Sequence, residues 1–328
     1  MTTALGLIAP EISAVLAQTE VADGGLTAVV GDQELDAKTP GALAKQLGGV
    51  FYQDLHAGMD EQDDTTRQRS LRDDDFDQRL YAAMPHRTTL VPATVLGDGP
   101  AAGSVVVSLD GLRVNVPRDS ITNRRPGDTS PQVSLRIPAP RPSLSTGFFL
   151  TDGSRGRVTG SPMLRLYFHL TQAEAAPEAW GTVLSRMEAL QLRYRAKVTS
   201  SLKHFPRRDA LVVYLGSDAW HAAADVAASV RGLPGMGTTT SPFVRRIADG
   251  VGAAWEPDDP RPGKGKGKLS FGEHRCQILA EALVGHAVRA DGTSREAVVA
   301  EAYLNAGADP LMPARNLDSP VLPGIGLA

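Results

Sequence analysis

The sequence is poor in the features that mark several classes of protein. Its 328 residues include a single cysteine, Cys276, so no disulfide within the chain can stabilise a small secreted fold. No stretch approaches the roughly 18 uninterrupted apolar residues that a membrane span requires. The N-terminal residues carry acids early and lack the basic region of a signal peptide. We therefore expect a cytoplasmic protein without a membrane partner.

Motifs of metal, nucleotide and hydrolase sites are also missing. The seven histidines are scattered and show no ligand spacing typical of zinc. Neither a G-x-x-x-x-G-K-[ST] loop nor a kinase motif occurs, and no G-x-S-x-G elbow indicates a serine hydrolase. The net charge of −3 excludes a globally basic nucleic-acid binder, though not a local basic site. We expect an activity without metal, cofactor or nucleic acid.

The chain is long enough for one large or two ordinary domains with complete cores. Helix and strand patterns are mixed along it, and Asp110-Gly111 between two alternating runs predicts a β-hairpin. We predict an α+β (mixed α/β) fold with an antiparallel-rich sheet and helices. A proline-rich stretch favours a boundary between an N-terminal region, residues 1–145, and a C-terminal domain, residues 146–328. We expect the first region to bind a peptide or a kinase, with its edge strands open to β-addition.

Two segments of the second half alternate with the period of a β-strand. The polar faces of LRLYFHLT and LRYRAKVT consist mostly of cations: Arg165, Tyr167 and His169 in the first, and Arg193, Arg195 and Lys197 in the second. If the two strands are neighbours in one sheet, they form a basic floor that contains a lysine and a histidine. The alternative is that each face is simply solvated.

This basic floor would suit one reaction in particular. Clustered cations favour the neutral amine of a lysine, so Lys197 could act as a base. A histidine beside a phosphate is favoured as the imidazolium, so His169 could act as an acid. The lysine would remove a Cα proton, the histidine would protonate the leaving phosphate, and a dehydroamino acid would form. Hydrolysis of a phosphomonoester would instead require a nucleophile or a metal pair.

The stretch KGKGKLSFGEHRCQILAEALVG joins a basic, glycine-rich segment to the start of a helix. Ser270 and Glu273 fit a capping box, and the first turn of such a helix presents free amide donors. With Arg275 in the second turn, this helix start could bind phosphate. The alternative is a solvated basic linker before an ordinary helix, and spacing alone does not decide between the two.

Residues 233–268 are rich in turn formers, and we interpret them as a long region of turns.

The residues SFGEHRCQILAEAL resemble the S-F-G-x-H-R-C-x-L-L-A-E-x-L signature of the HopA-type effector family. RLYFHLT, RYRAKVT and RRDALVVYLG occur in the order that this family shows, and the resemblance covers roughly residues 145–290. Stand-alone bacterial members serve as lyase components in class V lanthipeptide and thioamitide biosynthesis. The resemblance implies a phosphothreonine-lyase-like C-terminal domain that eliminates phosphate from phosphorylated Ser and Thr, which leaves dehydroalanine or dehydrobutyrine.

The resemblance also implies roles for individual residues. Phe168-His169-Leu170 matches the strand of the acid, and Arg195-Ala196-Lys197-Val198 matches the strand of the base. The phosphate ligands that it implies are Arg195, Arg207 or Arg208, Tyr214 and Arg275. Where the effectors carry two further lysines, this chain has Tyr167 and Gly216. We expect the missing charge to come from Lys264, Lys266 or Lys268.

The expected partners follow from the same resemblance. They are a phosphorylated precursor peptide and a separate Ser/Thr peptide kinase, with a cyclase as a second candidate. A competing hypothesis is a non-catalytic phosphopeptide-binding or scaffold subunit that uses the same basic pocket. A third is a translocated effector that acts on host signalling.

Overall fold

The computed structural model describes residues 6–59, 72–123, 130–142, 144–264, 269–289 and 291–327. Lys266 and Lys268 lie outside the described residues. Within those ranges the α-helices are α1 (Pro10–Ala17), α2 (Pro40–Phe51), α3 (Asp74–Ala83), α4 (Ala176–Ala189), α5 (Ala223–Ala228), α6 (Phe271–Arg289) and α7 (Arg295–Asn305). A π-helix, Tyr52–Ala57, continues directly from α2. None of the described helices is both long and apolar enough to cross a membrane.

The strands form three sheets, and every strand pair among the described residues is antiparallel. A three-stranded sheet contains β1 (Thr19–Val21), β2 (Thr27–Val30) and β3 (Gln33–Asp36). A four-stranded sheet contains β4 (Thr88–Asp98), β5 (Ser104–Leu109), β6 (Leu112–Pro117) and β7 (Gln132–Pro138). A six-stranded sheet contains β8 (Phe148–Asp152), β9 (Leu164–Leu170), β10 (Tyr194–Thr199), β11 (Arg207–Leu215), β12 (Arg245–Ala248) and β13 (Val251–Trp255). The predicted α+β class with antiparallel sheets is confirmed.

Local sequence signals explain two of these elements. The β5–β6 hairpin turns at Asp110 and Gly111, whose φ angles of 49° and 83° are those of the predicted two-residue turn. The capping box of α6 is also confirmed, because the Ser270 amide donates to the Glu273 carboxylate at 2.7 Å. The Glu273 amide donates in return to the Ser270 hydroxyl at 3.3 Å.

The order of the six-stranded sheet corrects two predictions. It runs β12-β13-β9-β11-β10-β8, so β11 separates the two basic strands, which are not neighbours. Residues 233–268, interpreted as turns, contain β12 and the fully buried β13. With β13 beside it, β9 is an interior strand, and a strand covered on both faces carries few exposed residues.

The hydrophobic core does not divide at residue 145. Helix α2 packs against α6, and Leu43 and Phe51 belong to the same buried cluster as Phe271 and Leu279. Only the four-stranded sheet has a cluster of its own among the described residues, around Val107. The N-terminal helices therefore share their core with the C-terminal half of the chain.

Candidate functional site

Lys197 and His169 lie on the same face of the six-stranded sheet, although β11 separates their strands. Lys197 is directly opposite Val212, and Val212 is directly opposite Tyr167. Opposite residues of antiparallel strands point to the same face, and so do residues two apart on one strand. His169 and Arg195 therefore share a face with Lys197, and we call it the site face.

The amine of Lys197 lies over an aromatic ring. Its Nζ is 4.0 Å from the centroid of the Phe148 ring, and the Cζ atom of Arg207 is 5.3 Å from the same centroid. No described residue forms a hydrogen bond or an ion pair with the Lys197 amine. Two basic side chains therefore share one ring, and none of the described residues occupies the donors of the amine.

A β-bulge in β11 brings a carboxylate to these cations. The pairing of β11 with β9 shifts between Arg207 and Leu211, and such a bulge redirects side chains. Arg207 donates to both carboxylate oxygens of Asp209 and to the Tyr52 hydroxyl, the latter at 2.9 Å. Burial alone would raise the pKa of Asp209, but Arg207 holds it well below its usual range. Asp209 is therefore an ionised counter-ion of Arg207.

Asp152 is the counter-ion of Arg195. The two residues are directly opposite on β8 and β10, and Arg195 donates to the two carboxylate oxygens at 2.7 and 3.2 Å. The Asp152 side chain is 3% exposed and that of Arg195 is 27% exposed. The guanidinium is thus fixed from the protein side and can still be reached from solvent.

His169 is held by the loop between α5 and β12. Its Nδ1 lies 3.1 Å from the carbonyl oxygen of Thr239 and 3.2 Å from the hydroxyl of the same residue. A carbonyl oxygen only accepts, so we assign the proton to Nδ1, and Nε2 is then the nitrogen that exchanges a proton. Burial lowers the pKa of His169; the bond to the Thr239 backbone raises it and Arg208 lowers it further. The imidazole is therefore neutral at neutral pH when no anion is bound.

Arg208 lies beside this imidazole. Its Nε donates to the Thr239 hydroxyl at 3.3 Å, and its Nη1 donates to two carbonyls of the π-helix at 3.0 and 2.9 Å. Burial lowers the pKa of Arg208, which remains charged at neutral pH. The sequence left open which of Arg207 and Arg208 contributes to the site. Arg207 lies on the side of the amine, and Arg208 lies on the side of the imidazole.

Tyr214 is positioned by an ion pair of the neighbouring strand. It lies between Arg195 and Arg165 in the register of the sheet. The Cζ atom of Arg165 is 5.0 Å from the centroid of the Tyr214 ring, and Arg165 is ion-paired with Glu256. The phenol is therefore on the site face, and Tyr214 is directly opposite Arg195, two residues before Lys197 on β10.

The position of Arg275 does not support a direct contact with phosphate. This residue is fully buried, at 0% exposure. Its guanidinium donates to the carbonyls of Pro313 and Arg315 at 2.7 and 3.0 Å, to Asn316 Oδ1 at 2.8 Å and to His274 Nδ1 at 2.6 Å. These bonds attach the C-terminal segment to α6, and we leave Arg275 out of the candidate site.

The other polar residues at the start of α6 are also engaged elsewhere. Lys264 forms an ion pair with Glu281, at 3.1 Å, which gives no support to its expected role as a substitute cation. His274 is bonded through Nε2 to Asp259 at 2.9 Å, and burial lowers its pKa to about 4. The structure therefore favours the strands, rather than this helix start, as the source of the charges of the site.

Counter-ions and supporting residues were missed by the sequence analysis. The additional residues are Phe148, Asp152, Asp209, Thr239 and Tyr52. Asp209 could have been found, since it follows Arg207 by two residues, a spacing that brings side chains to one face of a strand. No sequence pattern indicated that Tyr52 belongs to the site, because its contact with β11 spans more than 150 residues of sequence.

The ionised groups of the site face leave a net positive charge. Three arginines face two carboxylates: Arg195, Arg207 and Arg208 against Asp152 and Asp209. One positive charge is uncompensated among these residues. The site is therefore suited to an anion, with the imidazole of His169 and the amine of Lys197 beside it.

Comparisons with known proteins identify the same family as the signature does. The family model described as the HopA1 effector protein family matches residues 139–315, which confirms the predicted resemblance. One similar solved structure is the effector protein from Pseudomonas syringae pv. tomato strain DC3000, with 15% identity, a TM-score of 0.46 and coverage of 84% of this chain and 95% of that chain. Another is the effector protein from Pseudomonas syringae pv. syringae strain 61, with 13% identity, a TM-score of 0.43 and coverage of 84% and 96%. No curated protein matches the chain.

Proposed function

The chain belongs to the HopA1 effector protein family, and we propose that it is a phosphoserine/phosphothreonine lyase acting on a phosphorylated precursor peptide. The observation that carries this proposal is that the Lys197 amine, which no described residue binds by a hydrogen bond or an ion pair, shares one cationic face with the imidazole of His169. A base and an acid beside a bound dianion are the groups that β-elimination needs.

The phosphate would bind to the arginines of the site face. A phosphorylated side chain carries about −1.5 to −2 charges at neutral pH. The uncompensated arginine charge and the imidazolium of His169, which a bound phosphate would favour, would together match it. Arg195 and Arg207 would each share their donors between the phosphate and a counter-ion, while Arg208 and Tyr214 would bind further oxygens. The counter-ions would fix the guanidinium planes before the substrate arrives, which reduces the ordering needed on binding.

The elimination would then proceed with balanced proton transfers. Bound phosphate favours the imidazolium, so Nε2 of His169 would carry a proton that faces the leaving oxygen. The neutral amine of Lys197 would take the Cα proton, and the C–H electrons would form the Cα=Cβ double bond. The Cβ–O bond would break, and the phosphate would leave with the proton from His169. Dehydroalanine forms from phosphoserine, and dehydrobutyrine forms from phosphothreonine.

This activity requires partners. A separate Ser/Thr peptide kinase would supply the phosphorylated peptide, and a cyclase could consume the dehydro residues. In this proposal all of these steps take place in the cytoplasm. No metal or cofactor enters the reaction as written.

The test is incubation of the protein with a phosphothreonine peptide, followed by mass spectrometry. A lyase removes the mass of phosphoric acid, whereas a phosphatase leaves the hydroxyl in place. We expect Lys197→Ala and His169→Ala to abolish elimination while the exposed-lysine control, Lys45→Ala, retains it. A wild-type protein that binds the phosphopeptide without changing its mass would refute the lyase and favour the phosphopeptide-binding alternative.

A further inference from the structure

The π-helix Tyr52–Ala57 lies against the site face although it precedes the family match at residues 139–315. π-helices are rare and occur frequently at functional sites. This one ends at Gly58, whose φ of 63° favours glycine. A Cβ at that position would lie 2.8 Å from the Cζ atom of Arg208, so the glycine also lets a site arginine approach the backbone closely.

Tyr52, at the start of the π-helix, links a site arginine to its counter-ion. Its hydroxyl accepts from Nη2 of Arg207 at 2.9 Å and donates to Oδ2 of Asp209 at 3.2 Å. Burial and the charge of Asp209 raise the pKa of Tyr52, so the phenol keeps the proton that it donates. The hydroxyl therefore holds the guanidinium plane and the carboxylate in one arrangement.

His56 links the π-helix to the loop that holds the acid. Its Nδ1 lies 3.0 Å from the Ser241 hydroxyl, and Ser241 follows Thr239, the partner of His169, by two residues. Burial lowers the pKa of His56 to about 4, so its 3.8 Å approach to Asp209 is not an ion pair at neutral pH. With its side chain 2% exposed, His56 does not reach a substrate and can act only through its neighbours.

The backbone of the π-helix contributes as well. Its carbonyls at Asp54 and Leu55 accept from Arg208 at 3.0 and 2.9 Å. The same guanidinium donates to Thr239, which in turn contacts His169. One short segment thus contacts both arginines of β11, Arg207 on the side of the amine and Arg208 on the side of the imidazole.

We propose that the π-helix is a positioning element of the phosphate site, with Tyr52 and His56 as its positioning residues. This inference rests on the proposed function, since the site that it orders is the proposed phosphate site. It assigns the N-terminal region a part in ordering the site, so the segment that matches the family is not a complete site by itself.

Two conservative variants test the proposal in the full-length protein. Tyr52→Phe keeps the ring and removes the hydroxyl that orients Arg207. We expect the KM for a phosphothreonine peptide and the Kd for inorganic phosphate to rise about tenfold, the effect of one hydrogen bond to a charged group. The kcat should change much less, because the base and the acid are unaltered. His56→Phe keeps the aromatic contacts and removes the bond to Ser241. We expect this change to displace the loop that holds His169, so kcat should fall.

The matched control is Tyr303→Phe, which removes a buried hydroxyl that donates to the Arg275 carbonyl at 3.3 Å. It should leave KM, kcat and phosphate affinity unchanged. Calorimetric titration with inorganic phosphate separates this inference from the lyase proposal, since it needs no turnover. If the wild type binds phosphate and eliminates nothing, the lyase proposal fails and the affinity comparison still tests the π-helix.

Two results would overturn the inference. One is a folded Tyr52→Phe protein with wild-type phosphate affinity and KM, whatever the result for His56→Phe. The other is a wild-type protein without measurable phosphate binding, which would remove the site that the π-helix is proposed to order. Should His56→Phe fail to fold by circular dichroism, the decision rests on Tyr52→Phe and its control.

Discussion

The substitution Gly237→Ala should displace the predicted acid without changing its chemistry. A Cβ at position 237 would lie 2.1 Å from Nδ1 of His169 and 2.4 Å from two other atoms of the ring. Non-bonded heavy atoms settle at about 3.5 Å or more, so the ring or the loop must move by more than about 1 Å. A misplacement of about 1 Å can reduce a catalysed rate by about 10²-fold, and we expect kcat to fall by that order.

The assay is single-turnover elimination from a phosphothreonine peptide, with the fold checked by thermal denaturation. The control is Gly285→Ala in α6, where no heavy atom lies within 4 Å of the added Cβ. This control should retain activity and gain about 0.4–1 kcal/mol in the free energy of unfolding, because alanine restricts the unfolded chain. A folded Gly237→Ala protein with wild-type kcat would refute the role of His169 as the acid in this geometry.

Two further predictions concern stability. Burial lowers the pKa of both His56 and His274 to about 4, so the unfolded chain, with histidine near its ordinary pKa of about 6.5, binds protons first as the pH falls. The free energy of unfolding should therefore decrease by about 2 kcal/mol per histidine between pH 7.5 and 5, and equal urea midpoints at these two pH values would contradict this. Arg275→Met should cost about 3 kcal/mol or more, because it leaves several buried acceptors unpaired at about 1–3 kcal/mol each. A selective loss of phosphate affinity at unchanged stability would instead restore Arg275 to the site.

Regular periodicity made parts of the fold predictable. The strand β9 alternates apolar and polar residues, as does β10, and both lie where the pattern predicted them. The strand β13 was missed because its sequence, VGAAW, has no alternation and all five residues are buried. An interior strand covered on both faces loses the period-2 signal. Periodicity therefore could not indicate the number of strands in the six-stranded sheet.

The candidate site was predictable only in part, for a similar reason. Lys197, Arg195 and His169 were predicted because the alternation of a strand shows which residues share its polar face. Their separation by β11 was not, since strand order depends on contacts between distant segments. The boundary near residue 145 was inferred from composition, which carries no information about the packing of α2 against α6. A contact such as that between Tyr52 and Arg207 exists only after the chain has folded.

The signature that carries the family resemblance mainly makes structural contacts between distant segments of the chain. A Cβ on Gly272 would lie 2.1 Å from Cδ2 of His56, so this glycine makes room for a ring from the N-terminal region. The neighbouring Phe271 ring lies 5.9 Å from the rings of both His56 and Tyr167. On the next turn, Arg275 binds the C-terminal segment. The motif thus joins three parts of the chain, and its Phe271 packs against Tyr167 on the site-face side of the sheet, while the residues proposed to perform the chemistry lie on the strands. A chain that kept this motif and lost Lys197 or His169 would have the fold of the family without the proposed reaction.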